Sequence, residues 1–407
     1  MSHRIIDLDV ARPAPAVQLS DTDTGLAIRV RRDGHHVGFG MLDRQPGALV
    51  PADDIADLAA TTSGRAILHA AVRDALRTTG PPATPESITV AICTHDRTER
   101  LARCLSSLHL PRRSAERTGM AFEILVVDNT PTDDRTRHLV ARMPDVRYTA
   151  EPRPGLDFAR NRALSHASGE LVAFLDDDVV ADPGWLDQLL TAYAADPQAG
   201  AYTGQILPYT LETVAQSTFE RLGGFRLGFI RVHHDAHGPG DWTYPSGATT
   251  FGSGANMIVR RRVALDIGGF DEALDMGVAL PGGGDLDMFY RLVRAGYGIV
   301  YEPSCVVHHE HRRDLPAMWR QYRRSWGMGL MAFVAKCHRT DPSRRRQLRH
   351  FVLRHLRGRL RAMVASTARR QGDRRNAAVA ELIGSVQGLL GGYRRARRQR
   401  DRIVRST

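Results

Sequence analysis

The sequence predicts an α/β fold, a sheet with helices on both faces, carrying a small hairpin-and-helix module at its amino end and a basic helical tail at its carboxyl end. Three observations lead there. The β-rich apolar runs SITVAICT (87–94) and FEILVVD (122–128) flank the helical pattern ERLARCLSSL, which reads as a βαβ unit with parallel strands buried on both faces. A further apolar run, LVAFLDDD, stops abruptly at three carboxylates. The charge is also lopsided: from Asp341 to Thr407 there are 19 Arg against 4 acidic residues, a net of +15, so the preceding residues carry 11 − 15 = −4.

Taken in order, residues 1–84 form the first unit. GLAIRVRRDGHHVGFGML reads as two alternating strands joined at Asp33-Gly34, a pair suited to a tight hairpin turn. A helix is expected from about Asp53 to Thr79, followed by the proline-rich linker GPPATPE. Nothing in this unit carries recognisable chemistry, and it is expected to serve docking or dimerisation. Residues 85–340 hold the βαβ runs and the acidic strand end. In the third unit, 341–407, Leu348, Phe351, Val352, Leu356, Leu360, Met363 and Val364 recur at helical spacing and AAVAELIGSVQGLL follows. These read as a helical pair packed on the main domain with a solvated arginine face, or as a surface for an anionic membrane or polyanionic partner.

Composition narrows the class. With 407 residues, 42% hydrophobic and 25% charged, the chain has ordinary globular proportions and ample length for a core. The longest apolar candidate, Trp326 to Ala335, is too short to cross a bilayer. The amino terminus has no secretory pattern. The expected location is the cytoplasm, with peripheral contact at the inner face of the membrane through the tail as the functional alternative. Cys93, Cys104, Cys305 and Cys337 are widely spaced without a paired motif and read as reduced and mostly buried. The basic residues are almost all arginine, with Lys336 the one lysine, a bias of GC-rich bacterial genomes. No nucleic acid is expected as a partner.

The chemistry concentrates at strand ends. Asp176, Asp177 and Asp178 close an apolar strand, and three adjacent carboxylates repel one another unless a cation is near. Hard carboxylate oxygens favour Mg²⁺ or Mn²⁺, which complete their shells with water and phosphate oxygens. The alternative is an acidic loop capping the next helix, with Asp182 as N-cap and Pro183 at the first helical position. THDR (94–97) and Asp128-Asn129 end the two earlier strands, so three polar clusters converge on the edge where such sheets bind ligands. A carboxylate or hydroxyl there accepts from a nucleobase or ribose, and Arg97 and Arg160 suit phosphate oxygens. Neither GxGxxG nor GxxxxGK[ST] follows either strand, which removes the dinucleotide and P-loop readings.

The blocks TVAICTHDRTERLARCLSSL, EILVVDN, PGLDFARNRALSHASGELVAFLDDD, GSGANMIVRRRVALDIGGFDEAL and GGGDLDMFYRLVRAGYGIVYEPSCVVHH occur in that order. Together they resemble a family 2 glycosyltransferase of the GT-A fold, a Rossmann-like sheet, across residues 87–312. The resemblance implies transfer of a sugar from a UDP, GDP or dTDP donor to an acceptor hydroxyl with inversion, assisted by Mn²⁺ or Mg²⁺. It implies Thr94, Asp96, Arg97 and Asp128 in the nucleoside pocket and Arg160 near the base or diphosphate. Asp176 and Asp178 form the DxD pair, Asp176 nearer the ribose, Asp178 on the metal and Asp177 with the donor-binding group.

Inverting transfer needs a base for the acceptor proton. The resemblance implies Asp285, just before the helix MFYRLVRAG, with Asp287 as a supporting acid. Asp285 could equally cap that helix. Family members often carry an acidic residue just before the base, where this chain has Gly284. The family also implies a histidine at the end of EPSCVVHHEH as a metal ligand. His309 fits the spacing, and His308 or His311 can replace it. Residues 205–250 read as a long irregular excursion, in which Trp242 and Tyr244 suit stacking on an acceptor or packing within the loop. Two rivals stay open: a sugar nucleotidyltransferase, which needs a glycine-rich loop that THDRTER lacks, and a non-catalytic binder of nucleotide sugars or glycans, which is expected to have lost the DxD or the base.

Overall fold

The computed structural model describes residues 2–76, 83–235, 248–277 and 279–406. In the amino-terminal module, β1 (Ser2–Asp9), the two-residue β2 (Val17–Gln18), β3 (Asp23–Arg32), β4 (His35–Asp43) and the two-residue β5 (Leu49–Val50) precede α1 (Ala52–Ala75). β1, β3 and β4 form one sheet, with β1 parallel and β4 antiparallel to the central strand. The expected hairpin is present, and its turn residues Asp33 and Gly34 have φ of 52° and 80°, as a primed turn requires. α1 lies against β4, and a Cβ at Gly38 would come within 2.8 Å of Cβ of Ser63 on that helix. The expected continuation of the helix to Thr79, and Gly80 to Pro82 of the linker, fall outside the described residues.

The main body begins with β6 (Ser87–Thr94), α2 (Thr98–Ser107), α3 (His109–Thr118), β7 (Ala121–Asn129), α4 (Arg135–Ala141) and β8 (Val146–Glu151). Then come α5 (Leu156–His166), β9 (Leu171–Asp176), β10 (Val179–Ala181), α6 (Trp185–Ala195), β11 (Ala201–Pro208), α7 (Val214–Arg221) and β12 (Val232–His234). β13 (Asn256–Arg260), α8 (Arg261–Asp266), α9 (Gly284–Arg294) and β14 (Ile299–His309) complete it. The sheet order is β10-β14-β11-β13-β9-β6-β7-β8, with β12 also on β14. β9, β6, β7 and β8 run parallel, and β13 is antiparallel to both neighbours.

Alternation along the strands fills both faces with apolar residues. Ile88, Val90 and Ile92 pack with Leu101, Trp185 and Leu189 on one side, while Ala91, Leu125 and Val127 pack with Leu164, Phe289 and Phe333 on the other. Asn256, in the GSGAN block, bolts the middle of the sheet: its amide donates to the carbonyls of Gln205 (3.2 Å) and Cys305 (2.8 Å) and its oxygen accepts from Trp185 Nε1 (3.0 Å). Cys104, Cys305 and Cys337 are buried, and all four cysteines are unpaired.

Two expectations are corrected. The stretch read as irregular contains α7, whose Thr213 and Gln216 make a reciprocal capping box, and the strand β12. Trp242 and Tyr244 lie outside the described residues. The tail is more than a helical pair: α10 (Leu315–Gln321), a π-helical segment (322–329) and α11 (Leu330–Thr340) lead into α12 (Arg345–Ala368), α13 (Gly372–Gln387) and α14 (Tyr393–Ser406). Leu348 and Phe351 of α12 enter the same apolar layer as Phe289 and Phe333. Among the described residues no helix is long and apolar enough to cross a membrane.

Asp182 is not the N-cap of α6, a place taken by Gly184. Its carboxylate instead joins the two parts of the chain, accepting from Arg31 Nη2 (2.6 Å) and His36 Nε2 (3.0 Å) of the module and from His308 Nε2 (3.4 Å) of β14. Arg29 Nη1 lies 3.0 Å from His308 Nδ1, which fixes that ring with its Nε2–H toward Asp182. Burial pushes His36 down and His308 down to about 4, so both rings are neutral donors. Burial alone would raise the Asp182 carboxyl, but His308, His36 and Arg31 hold it far below the usual carboxylate range. This trio has ligand atoms close enough to gather round a metal. A cation there would have to displace Arg31, and the arrangement acts as a clasp.

Asp182→Ala leaves two buried histidines and the half-buried Arg31 without their shared acceptor, and breaking a buried pair from one side costs about 3–5 kcal/mol. Urea denaturation is expected to show a loss of that size, whereas a loss under about 1 kcal/mol is the behaviour of an exposed pair and would mean that the clasp does not hold the module.

Candidate functional site

Strand register assembles the site. Thr94 at the end of β6 is paired with Asp128 on β7, and Cys93 with Asp176 on β9, so three acidic or hydroxyl positions share one edge. The chain then turns through Asp177 and Asp178 and folds back as β10, antiparallel to β14 with Val179 opposite His309. That return sets the final histidine of β14 beside the acidic turn.

Within the turn, Asp177 Oδ2 accepts from Thr94 Oγ1 (2.8 Å) and its Oδ1 from Arg97 Nη1 (3.0 Å). Arg97 also lies 3.6 Å from Asp178, and Arg100 3.7 Å. Burial first, and then the charge of Asp178, push Asp176 up to about 7. Asp177 is raised too, again mainly by burial. The carboxylates are thus crowded and dry despite their arginines.

Of the three candidate histidines, His309 is the one against Asp178, with Nε2 to Oδ1 3.3 Å. His308 points to the clasp, as alternation along β14 requires. His311 lies behind His309, with the two Nδ1 atoms 2.9 Å apart and its own Nε2 2.7 Å from Glu220 Oε1. A carboxylate only accepts, so His311 donates from Nε2 to Glu220. Burial drives His309 well below the ordinary imidazole value. Its Nε2 stands 3.3 Å from Asp178 Oδ1, with the ring held from behind by the His311–Glu220 pair, as groups behind a metal ligand orient it.

The nucleoside-pocket candidates sit beyond the ends of β6 and β7. Asp96 has φ of 52° and its carboxylate accepts from Thr132 Oγ1 at 2.8 Å. Asp128 is buried; its Oδ2 accepts from Tyr148 (3.1 Å) and its Oδ1 has no hydrogen-bond partner. Burial raises its carboxyl above the ordinary value. Asn129 does not face this pocket: its amide donates to the carbonyl of Arg153 (2.7 Å) and its oxygen accepts from Gly155 N–H (3.1 Å), shaping the entry to α5.

Arg160 lies inside rather than at the surface. Its Nη1 is 3.0 Å from Asp157 and 3.4 Å from Asp275, and its guanidinium lies 5.4 Å from the centre of the Phe270 ring. Burial would lower its pKa, but the charges of Asp157, Asp275, Asp176 and Asp285 raise it. Asp285, in the first turn of α9, accepts from Gly254 N–H through Oδ2 (2.8 Å) and is partly exposed. Asp287 is fully buried and held by Arg291 (2.7 Å) and Lys336, which makes it a structural anchor of α9 rather than a supporting acid at the site.

Asp157 and Asp275 were not singled out in the sequence. Asp157 had a signal, since it precedes Arg160 by three residues and shares its helix face; Asp275 had none. Gly284 now has a reason: a Cβ there would overlap the Asp157 carboxylate. The acidic side chain beside Asp285 is thus not its chain neighbour but Asp157, brought in from α5. Gly254 is constrained likewise by Arg160 Nη2.

This sheet order, with helices on both faces and polar strand ends gathered along one edge, is that of the GT-A fold. The chain belongs to Glycosyl transferase family 2, which matches residues 89–267. It is 30% identical over 244 residues to the N-acetylglucosaminyl-diphospho-decaprenol L-rhamnosyltransferase of Mycobacterium tuberculosis (strain CDC 1551 / Oshkosh), covering 54% of this chain and 75% of that one. It is 28% identical over 239 residues to the Pre-mycofactocin glycosyltransferase of the same strain, covering 58% of this chain and 45% of the other, so it spans under half of that relative's length. A mannosyltransferase from Pyrobaculum calidifontis solved with GDP-Man and Mn²⁺ shares the fold with a TM-score of 0.50 at 20% identity, covering 82% of this chain and 97% of that one.

Gly284→Ala is expected to destabilise the protein by about 1–3 kcal/mol, the range for overpacking. Combined with Asp157→Ala the two costs should fall short of additive, because truncating Asp157 removes the group that the new methyl meets. Additive losses in a denaturation cycle would separate the two residues.

Proposed function

We propose that this enzyme transfers a sugar, with inversion, from a nucleotide diphosphate sugar to an acceptor hydroxyl, using a divalent cation held by Asp178 and His309 and Asp285 as the base. One contact carries the reading: His309 Nε2 and the Asp178 carboxylate stand 3.3 Å apart, with Glu220 and His311 fixing the ring from behind. That donor set, carboxylate with neutral imidazole, fits Mn²⁺ well and Mg²⁺ less closely. When bound, such a cation neutralises charge on the leaving diphosphate.

The chain's own groups do the rest. Thr94 and Arg97 hold Asp177, leaving Asp176 for the ribose and Asp178 for the cation. The unpartnered Oδ1 of Asp128, buried at the end of β7, accepts from the nucleoside, with Asp96 beside it. Arg160 keeps Asp157 and Asp275 charge-balanced, which lets Asp285 stand at the rim with Gly254 N–H orienting its carboxylate for the acceptor proton. UDP, GDP and dTDP donors all satisfy this description. Support for a nucleotide-sugar donor and Mn²⁺ comes from the Pyrobaculum neighbour, solved with GDP-Man and Mn²⁺.

Excess EDTA is expected to abolish donor binding by calorimetry across a panel of nucleotide sugars, and Mn²⁺ to restore it. Asp178→Ala should bind no donor with either. Unchanged affinity in EDTA removes the cation from the mechanism.

Asp285→Asn should retain nucleotide affinity and lose transfer by roughly 10²–10⁴-fold, the size of a lost general base. Near-normal turnover would assign the base elsewhere. Product NMR is expected to show inversion at the anomeric carbon.

A further inference from the structure

We propose that the outer face of the carboxyl-terminal helices is a docking surface for an anionic lipid leaflet. α12 has two apolar sides. The inner one carries Leu348 and Phe351 into the core. The outer one carries Leu353, Leu360 and Val364, which are 46%, 49% and 60% exposed. At about 100° per residue these three fall within roughly 40° of one another, so they form a stripe and not a scatter. Single exposed leucines are ordinary, but an aligned row on one helix is not. α13 repeats the pattern, with Ile383 and Val386 exposed on the side opposite its buried Glu381 and Ser385, and Leu390 beyond them is 74% exposed.

Charge identifies the partner. Residues 341–407 carry 19 Arg and 4 acidic residues. Two of those acids are already engaged, Asp341 by Arg294 and Glu381 by Arg359. Arg357 and Arg361, both exposed, line one side of the α12 stripe on the wheel. An apolar stripe bordered by arginines is the pattern of a helix lying in a membrane interface, where the apolar side chains enter the acyl boundary and the guanidinium groups meet lipid phosphates. About a quarter turn round α12 from the stripe lies an apolar groove of about 390 Å³, whose walls include Leu348, Val352 and Leu389 together with Arg339, Arg349 and Arg394. Its mixture of aliphatic wall and guanidinium suits an acyl chain below a phosphate. A nucleic acid would satisfy the arginines and leave the leucines in water.

The proposal is independent of which sugar or acceptor the enzyme uses. The test is sedimentation of the full-length protein with phosphatidylcholine vesicles, with and without phosphatidylglycerol, at low and high salt. Wild type is expected to bind only the anionic vesicles and to lose about tenfold in partitioning at high salt. The triple variant Leu353→Ser, Leu360→Ser, Val364→Ser touches only exposed side chains and should keep its thermal transition. It is expected to lose vesicle binding by about tenfold or more while retaining binding to heparin. Arg357→Glu with Arg361→Glu should weaken both. The proposal is overturned if wild type does not sediment with anionic vesicles, or if the triple variant binds them as wild type does, which would make the surface a general polyanion site. It is equally overturned if light scattering shows wild type to be a dimer that the triple variant dissociates, since the stripe would then be a contact between copies.

Discussion

The buried guanidinium of Arg160 lets the carboxylates of this site coexist. Asp157 and Asp275 touch it, and Asp176 and Asp285 lie within its field. Each of these acids comes from a different part of the fold: the start of α5, the loop before α9, the end of β9 and the first turn of α9. An isolated buried carboxylate would be neutral, and four near one another without a cation would be more so. By neutralising the group, Arg160 also positions it. Asp275 accepts from Gly284 N–H at 3.0 Å while touching Arg160, and so ties the amino end of α9 to α5. The carboxylate of Asp285 is therefore placed by backbone that answers to a charge cluster, not by the loop alone.

That cage consumes space, and the sequence shows where. Gly254 and Gly284 border Arg160 and Asp157 so closely that neither can carry a side chain. Backbone approach to a donor is one use of such glycines; here a packed ion cluster already demands two of them. Around the acidic turn the opposite holds. Asp177 and Asp178 meet Arg97 and Arg100, both partly exposed, and burial lowers the His309 pKa, so the edge of the sheet is left short of positive charge.

How much of this was legible depended on whether the signal was local. The βαβ runs, the hairpin at Asp33-Gly34 and the acidic strand end are each contained in a few residues, and alternation or turn chemistry reveals them. For the histidines the sequence left His308, His309 and His311 open, although strand parity by itself sends His308 and His309 to opposite faces. Asp287 was misread, since its position beside Asp285 says nothing of Lys336, 49 residues away, which fixes it in the core. Asp275 could not be found at all. Asp182 looked like a helix cap because Asp-Pro before a helix is a common local pattern; its real partners, Arg31 and His36, sit about 150 residues earlier in the chain. The errors are those of long-range charge pairing, which leaves no periodic trace.

The clasp and the acidic turn are linked by one strand. His308 and His309 are consecutive on β14, and alternation sends one to the amino-terminal module and the other to Asp178. β10 lies between the two destinations, with Asp178 just before its first residue and Asp182 just after its last, and it pairs residue by residue with the end of β14. Moving either histidine shifts the short β10 ladder, and with it the acid at the other end. A module with no chemistry of its own is in this way mechanically joined to the edge where the chemistry lies. Three residues of strand suffice for this coupling because side chains on a pleated ladder have only two directions to point.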